Sequence, residues 1–251
     1  MDIKKFYIKI KIFSKYFLSN LFIKDFSYFK YCPVCKNKLK NDLPSYSSKC
    51  IFSGARLYRY QCNKCDLIYG PSLMLKKSMK HLSNEYKQHY RAYSEGDSTD
   101  LEIMAFKCLN PSRNKVYLNY GAGSWSRTSK ILKSQGYNIV NFDPHSTSNS
   151  EIISSYPQLL KYKFDGIFLN NVMEHFRYPI KELKIMYKLL KHNGKIVNAT
   201  PCYEYLYEYT RFHFFFYLGK SKIIIHEKAN FKNIKYISNG DVFKCIVAQK
   251  E

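Results

Sequence analysis

The sequence predicts an α/β fold, a Rossmann-like, doubly wound, mostly parallel sheet with a small N-terminal zinc ribbon ahead of it. Three observations carry this expectation: two matched Cys-x-x-Cys pairs between positions 32 and 65, alternating strand and helix patterns beyond position 111, and a Gly-x-Gly turn followed by an aspartate. They divide the 251 residues into a basic, aromatic segment (1–30), the ribbon (31–70), a tyrosine-rich connector (71–110) and an α/β domain (111–251). With 45% hydrophobic and 17% aromatic residues, such a chain buries a full core and is too apolar for disorder.

The opening MDIKKFYIKIKIFSKYFLSNLFIKDFSYFKY mixes lysines into an aliphatic and aromatic run. No small-residue cleavage site follows it, so it is not a signal peptide, and no run reaches the roughly 18 to 20 apolar residues of a membrane helix. Two readings stand: a strand or helix packed on the rest of the protein, or a basic amphipathic segment lying on a membrane surface. Without an export signal the expected compartment is the cytoplasm.

The net charge of +22 is uneven, with 18 Lys/Arg against 5 Asp/Glu in residues 1–90 and 23 against 14 beyond them. An acidic partner is therefore expected at the N-terminal third. Nucleic acid is a candidate but not the favoured one, because the lysines are scattered through every segment alongside abundant Ile, Asn, Tyr and Phe.

Cys32-Pro-Val-Cys35 and Cys62-Asn-Lys-Cys65 flank a stretch rich in turn formers. Each Cys-x-x-Cys turn presents two thiolates on one side of a tight knuckle. Two knuckles supply the four soft ligands, at about 2.3 Å, of a tetrahedral Zn²⁺ with no position left for water, hence a structural ion. A redox pair would come singly beside a βαβ unit. The alternation Arg56-Leu-Tyr-Arg-Tyr60 suits a ribbon strand. Cys50, Cys108, Cys202 and Cys245 lack partners at ligand spacing and read as small apolar residues.

In the connector, HLSNEYKQHYRAY looks helical and turns at Glu95-Gly-Asp. Beyond it, Lys115–Tyr120 reads as a strand, Gly121-Ala122-Gly123 as a turn, Ser124–Gln135 as a helix capped by Gly136, and Tyr137–Phe142 as a second strand ending at Asp143. A right-handed crossover places the glycine turn at the carboxyl edge of the sheet. Asp143, at the tip of the second strand and at the usual offset from the glycines, stands where an acid can accept bonds from ribose hydroxyls. The third glycine of a dinucleotide loop is absent, Ser126 standing in its place, so a nucleotide loop and a plain strand–turn–helix both remain open. The block FDGIFLNNVMEHFRYPIKELKIMYKLLKHNGKIVNATP continues the pattern: a buried strand ending at Asn170-Asn171, a turn over Val172–Phe176, a helix over Ile180–Lys191 capped by Gly194, and a strand at Lys195–Ala199. Strands at Lys232–Ser238 and Val242–Gln249 close the sheet.

The glycine loop, Asp143, Glu174-His175 and Gly194, at these spacings over residues 112–250, resemble class I S-adenosylmethionine-dependent methyltransferases. The resemblance implies S-adenosylmethionine as cofactor, with Gly121, Ala122 and Gly123 beneath its methionine and ribose, Asp143 on the ribose, and Asn170 and Asn171 beside the adenine or sulfonium. Two positions depart from the family: Asn119 replaces an acid that meets the methionine amine, which its side-chain oxygen can still bond, so it stays a cofactor-binding candidate, and Trp125 replaces a glycine. Ribbon, tyrosine-rich connector and domain together resemble the NDP-sugar C-methyltransferase type, which implies a small-molecule acceptor, a saccharide or nucleotide sugar. The additional C-terminal substrate domain of those enzymes has no counterpart in this sequence.

That resemblance also singles out His213, within Phe212-His-Phe-Phe-Phe216, as a histidine facing the substrate. His213 and His175, with Glu174 beside it, are the candidate catalytic residues, since a hydroxyl acceptor must lose its proton; the alternatives are a packed core residue for His213 and a turn-shaping role for Glu174-His175. A buried imidazole would be neutral and basic near neutral pH. An RNA-directed methyltransferase and a non-catalytic zinc-ribbon interaction protein are the competing readings.

Overall fold

The computed structural model describes residues 3–22, 30–40, 43–93, 96–123, 127–146, 150–204 and 210–251. Trp125 and Ser126 lie outside the described residues. In chain order the first elements are α1 (Ile3–Phe22), β1 (Tyr46–Lys49), β2 (Arg56–Gln61), β3 (Leu67–Tyr69), α2 (Ser72–Lys76), α3 (Met79–Ala92) and α4 (Thr99–Lys107). Then come β4 (Val116–Tyr120), α5 (Arg127–Ser134), β5 (Asn138–Phe142), β6 (Ile152–Ile153), α6 (Tyr156–Leu159), β7 (Phe164–Asn170), α7 (Pro179–Leu189) and β8 (Leu190–Ala199). The last are β9 (Phe215–Tyr217), α8 (Ser221–Glu227), β10 (Lys232–Asn239) and β11 (Phe243–Gln249). Two units form: unit 1 takes Met1–Gly96 and Glu204–Ser221, and unit 2 takes Asp97–Tyr203 and Lys222–Glu251.

Unit 1 is built on an antiparallel sheet of order β1-β2-β3-β9. Its fourth strand comes from far along the chain, and buried Arg59 of β2 helps hold it. The Arg59 Nη2 donates to the carbonyls of Thr210 (2.9 Å) and His213 (3.2 Å), and the guanidinium lies 5.1 Å from the Phe216 ring centroid. A buried cation bonded this way keeps its charge. The connector contributes α3, whose N-cap Ser78 accepts a bond from the His81 N–H as its composition predicts. Ala92 of α3 packs with Ile12 of α1, Cys50, Ala55 and Leu57, so the opening segment is a helix with one face against the unit.

Unit 2 carries a seven-stranded sheet of order β10-β11-β8-β7-β4-β5-β6. The five strands β4 to β8 run parallel, and β11 and β10 finish one edge antiparallel. Phe106 of α4 makes edge contacts with Tyr117 and Phe168, anchoring a core that includes Leu132, Ile139 and Val197. One local expectation is corrected: Gly194 does not cap α7. The helix ends at Leu189, the chain goes extended at Leu190, and Gly194 lies inside β8. A Cβ there would sit 2.9 Å from the Lys191 carbonyl oxygen, so the glycine serves close backbone approach rather than a left-handed turn. Among the described residues no helix is long and apolar enough to cross a membrane.

Candidate functional site

From β4 the chain steps outward to β5 and β6, then returns through β7 and β8 on the other flank. The strand order reverses at β4, and open α/β sheets bind ligands outside the carboxyl ends of strands at such a reversal. Tyr120, Phe142 and Asn170 end the three strands that meet there.

The glycine turn is fastened to β5. Gly121 and Ala122 donate their N–H groups to the Phe142 carbonyl at 2.8 and 3.1 Å. Gly121 has φ +82°, and a Cβ on it would lie 2.5 Å from Val172 Cγ2, so only glycine fits between the turn and the segment after β7. Gly123 has φ +69°, with no described atom within 4 Å of where a Cβ would project. Asp143 closes the turn: its Oδ2 accepts from Gly123 N at 2.9 Å and its Oδ1 from His145 N at 2.7 Å. A carboxylate has about four acceptor positions, so two remain for hydroxyl donors. Gly121, Ala122, Gly123, Asp143, Asn170 and Asn171 thus share the carboxyl edge of unit 2.

Asn170 ends β7, and Asn171 turns with φ +54° while its N–H donates to the Ala199 carbonyl at 2.9 Å. Asn170 Nδ2 and Asn171 Oδ1 are buried without a hydrogen-bond partner among the described residues. Asn119 behaves differently. It is buried, and its Nδ2 donates to Ser129 Oγ at 3.4 Å, with Ser129 in turn donating to Asn141 Oδ1. The residue standing for the missing acid thus cross-links β4, α5 and β5.

Glu174 is fully buried in the 3-10 turn Met173–His175 and accepts a bond from Thr200 Oγ1 at 3.0 Å. His175 follows it, half-buried, with its N–H on the Val172 carbonyl at 3.1 Å. His213 belongs to unit 1, where it is buried with its ring edge-on to Phe216 at 6.2 Å. Sequence reasoning missed Tyr120 and Tyr156, whose hydroxyls both donate to Glu182 Oε2, at 2.9 and 3.0 Å. Burial, with Glu182 adding to it, holds both phenols well above their ordinary pKa, so they stay neutral donors. They tie the strand leading into the glycine turn to α6 and α7. A tyrosine immediately before the first glycine was the available signal.

In unit 1, Cys32, Cys35, Cys62 and Cys65 converge, their sulfurs all within 4.8 Å of one another. The Cys32–Cys65 and Cys35–Cys62 separations are 3.8 and 3.4 Å, where a tetrahedral zinc site spaces its sulfurs by about 3.8 Å. The two knuckles are built alike. Lys36 (φ +62°) and Asp66 (φ +65°) turn left-handed after each pair, and their N–H groups reach back to the carbonyls of Cys32 and Cys62. The hydrogen bond from Cys65 pulls the Cys32 thiol pKa down and pushes that of Cys65 up.

A family model described as a methyltransferase domain matches residues 88–242, more than half of the chain. Two solved structures share the fold. Burkholderia thailandensis 1,6-didemethyltoxoflavin-N1-methyltransferase, solved with bound 1,6-didemethyltoxoflavin and S-adenosylhomocysteine, matches with TM-score 0.55 at 13% identity, over 83% of this chain and 99% of that one. Human N-acetylserotonin methyltransferase in complex with S-adenosylmethionine matches with TM-score 0.50 at 16% identity, over 72% of this chain and 60% of the human one. The chain thus spans less than two thirds of the human enzyme's length. No curated protein sequence matches it. With the family model lying across the glycine turn, Asp143 and the Glu174-His175 turn, the chain belongs to the methyltransferase-domain family of enzymes.

Proposed function

We propose that this enzyme transfers a methyl group from S-adenosylmethionine to a small-molecule acceptor of the saccharide or nucleotide-sugar class, and that unit 1 holds a structural Zn²⁺. The observation carrying the cofactor is a pair of buried amide atoms beside the glycine turn, Asn170 Nδ2 and Asn171 Oδ1, that find no partner among the described residues. Each such group costs about 1–3 kcal/mol until it is bonded. An adenine offers both complements, an exocyclic amine that donates and ring nitrogens that accept. Asp143 has acceptor positions left for ribose hydroxyls, and Gly123, with no described atom within 4 Å of its missing Cβ, lets the backbone approach the ligand. The residues fit the group.

When bound, S-adenosylmethionine supplies an electrophilic methyl on a sulfonium that is already a good leaving group. The chain must then hold the acceptor in line and take its proton. His213 and His175 are the proposed bases, with Glu174, buried and bonded by Thr200, directly preceding His175 in the turn. Asn119 is bonded to Ser129 of α5, the helix that follows the turn. For the acceptor, the support is the small-molecule substrates named for the two structural neighbours and the ribbon-plus-domain resemblance to the sugar enzymes. A reduced thiol tetrad suits the cytoplasm.

Calorimetric titration of the full chain with S-adenosylmethionine and S-adenosylhomocysteine tests the reading. Binding is expected, with a loss of about tenfold or more in Asp143→Ala, the scale of one charge-assisted contact. No detectable binding at millimolar ligand would overturn it. Transfer of labelled methyl to nucleotide sugars, compared with RNA, tests the acceptor class, and His213→Asn and His175→Asn identify the base by which one lowers kcat with little change in KM.

A further inference from the structure

Helix α1 has two apolar faces. Ile12 is buried among Cys50, Ala55, Leu57 and Ala92, with Ile8 packed beside it. At about 100° per residue, Ile3, Phe6, Tyr7 and Ile10 project to the opposite side, and there they are 79%, 48%, 67% and 49% exposed. A helix packed by one face ordinarily turns charged side chains outward. Here the lysines run between the faces instead, Lys4 and Lys11 along one border and Lys5 and Lys9 along the other. The helix holds five lysines and no acidic residue. Lys4, Lys5 and Ile8 also line, with Arg91, a groove of about 540 Å³.

We propose that α1 docks this enzyme on an anionic membrane surface, the Ile3, Phe6, Tyr7 and Ile10 stripe sinking below the headgroups and the bordering lysines, with Arg91, meeting lipid phosphates. An apolar stripe flanked by lysines is the side-chain order that an in-plane interfacial helix requires, since lysine stems cover apolar surface while their ammonium groups reach outward. The charge is complementary, residues 1–90 holding 18 Lys/Arg against 5 Asp/Glu. Other occupants fit less well. A second copy would set two acid-free, five-lysine helices against each other, and RNA would satisfy the lysines while leaving the apolar stripe in water. The helix lies on the surface and does not span it.

Sedimentation of the full-length enzyme with vesicles tests this, using phosphatidylcholine alone and phosphatidylcholine mixed with phosphatidylglycerol. Wild type should sediment with the anionic vesicles only, less so as salt is raised. Phe6→Ser/Ile10→Ser should lose about tenfold or more of that partitioning and Lys11→Gln a smaller part, both with unchanged melting temperature and S-adenosylmethionine affinity. Failure to bind anionic vesicles, or undiminished binding by the double variant, would overturn the proposal. So would a wild-type dimer that the double variant dissociates, which gives the stripe to a second copy, or RNA binding that the double variant abolishes.

Discussion

Gly121 and Gly123 share a sign of φ but not a surrounding. An alanine at either position enters the left-handed region at about 1–2 kcal/mol. At Gly121 its Cβ would also strike Val172 Cγ2, whereas at Gly123 it meets no atom of the described residues within 4 Å. Gly121→Ala should therefore lose about 2–4 kcal/mol in urea unfolding and Gly123→Ala about half of that. Adding Val172→Ala should recover the steric share for Gly121→Ala alone. A second residue-scale prediction concerns His226, which is fully buried, its Nδ1–H donating to the Lys222 carbonyl at 2.7 Å. Burial holds its pKa down to about 4. Below the ordinary value of about 6.5 the unfolded chain takes a proton the folded chain refuses, so stability present above that pH falls as pH drops toward 4. The loss attributable to His226 reaches up to about 3 kcal/mol, and urea midpoints for His226→Gln should show a flatter fall between those limits. The sequence does not announce this burial, because the ring's other neighbour, Asn198 at 3.5 Å, lies 28 positions away in β8. Nor does it pair Cys108 with Cys245, whose sulfurs lie 4.0 Å apart across 137 positions.

At the scale of elements, the legible parts are those whose signal is local. The strand–Gly-x-Gly–strand unit ending at Asp143 reads from apolar runs and glycines, and β4 and β5 form there. β7 reads from its near-continuous apolar run, as a strand covered on both faces must. Where the periodicity of a helix runs into a strand the boundary blurs: Leu190 continues the apolar stripe of α7 yet already belongs to β8. Asn119 is legible as an oddity but not in its role, since its link to Ser129 and Asn141 depends on which strands lie side by side. The cysteine knuckles are legible because each is a short-range motif. With a proposed Zn²⁺ tying residues 32–35 to 62–65, metal analysis should find one zinc per chain. Cys62→Ser should lose the ion, and hydrogen exchange in that variant should speed up across β2 and β3 while β4 and β7 stay protected. Equal exchange in variant and wild type would remove the structural role.

The whole molecule is two units interleaved along one chain, which leaves unit 2 at Tyr203 and re-enters it at Lys222. The excursion places β9 on β3, pairing Phe215–Tyr217 with Leu67–Tyr69, two segments remote in sequence. In sequence, the aromatic run Phe212–Phe216 stands out only as the setting of His213. In the fold, Phe214, Phe215 and Phe216 are buried, and Phe212 packs on Tyr86 and His89 of α3. No periodicity could announce this, because a strand covered on both faces shows no alternation and its partner is remote. The topology thus makes the methyltransferase half of the sequence carry a strand that only the ribbon half can receive. A fragment starting at Asp97 retains all seven strands of the parallel-rich sheet but strands residues 210–217 without β2, β3 or Arg59. Four phenylalanines and an unpaired strand edge would then face water, the arrangement that drives edge-to-edge association. Expressed alone, residues 97–251 should aggregate, and co-expression with residues 1–96 should recover a soluble one-to-one complex by light scattering. A monodisperse fragment with native-like exchange protection would instead show that the returning segment is dispensable to unit 2.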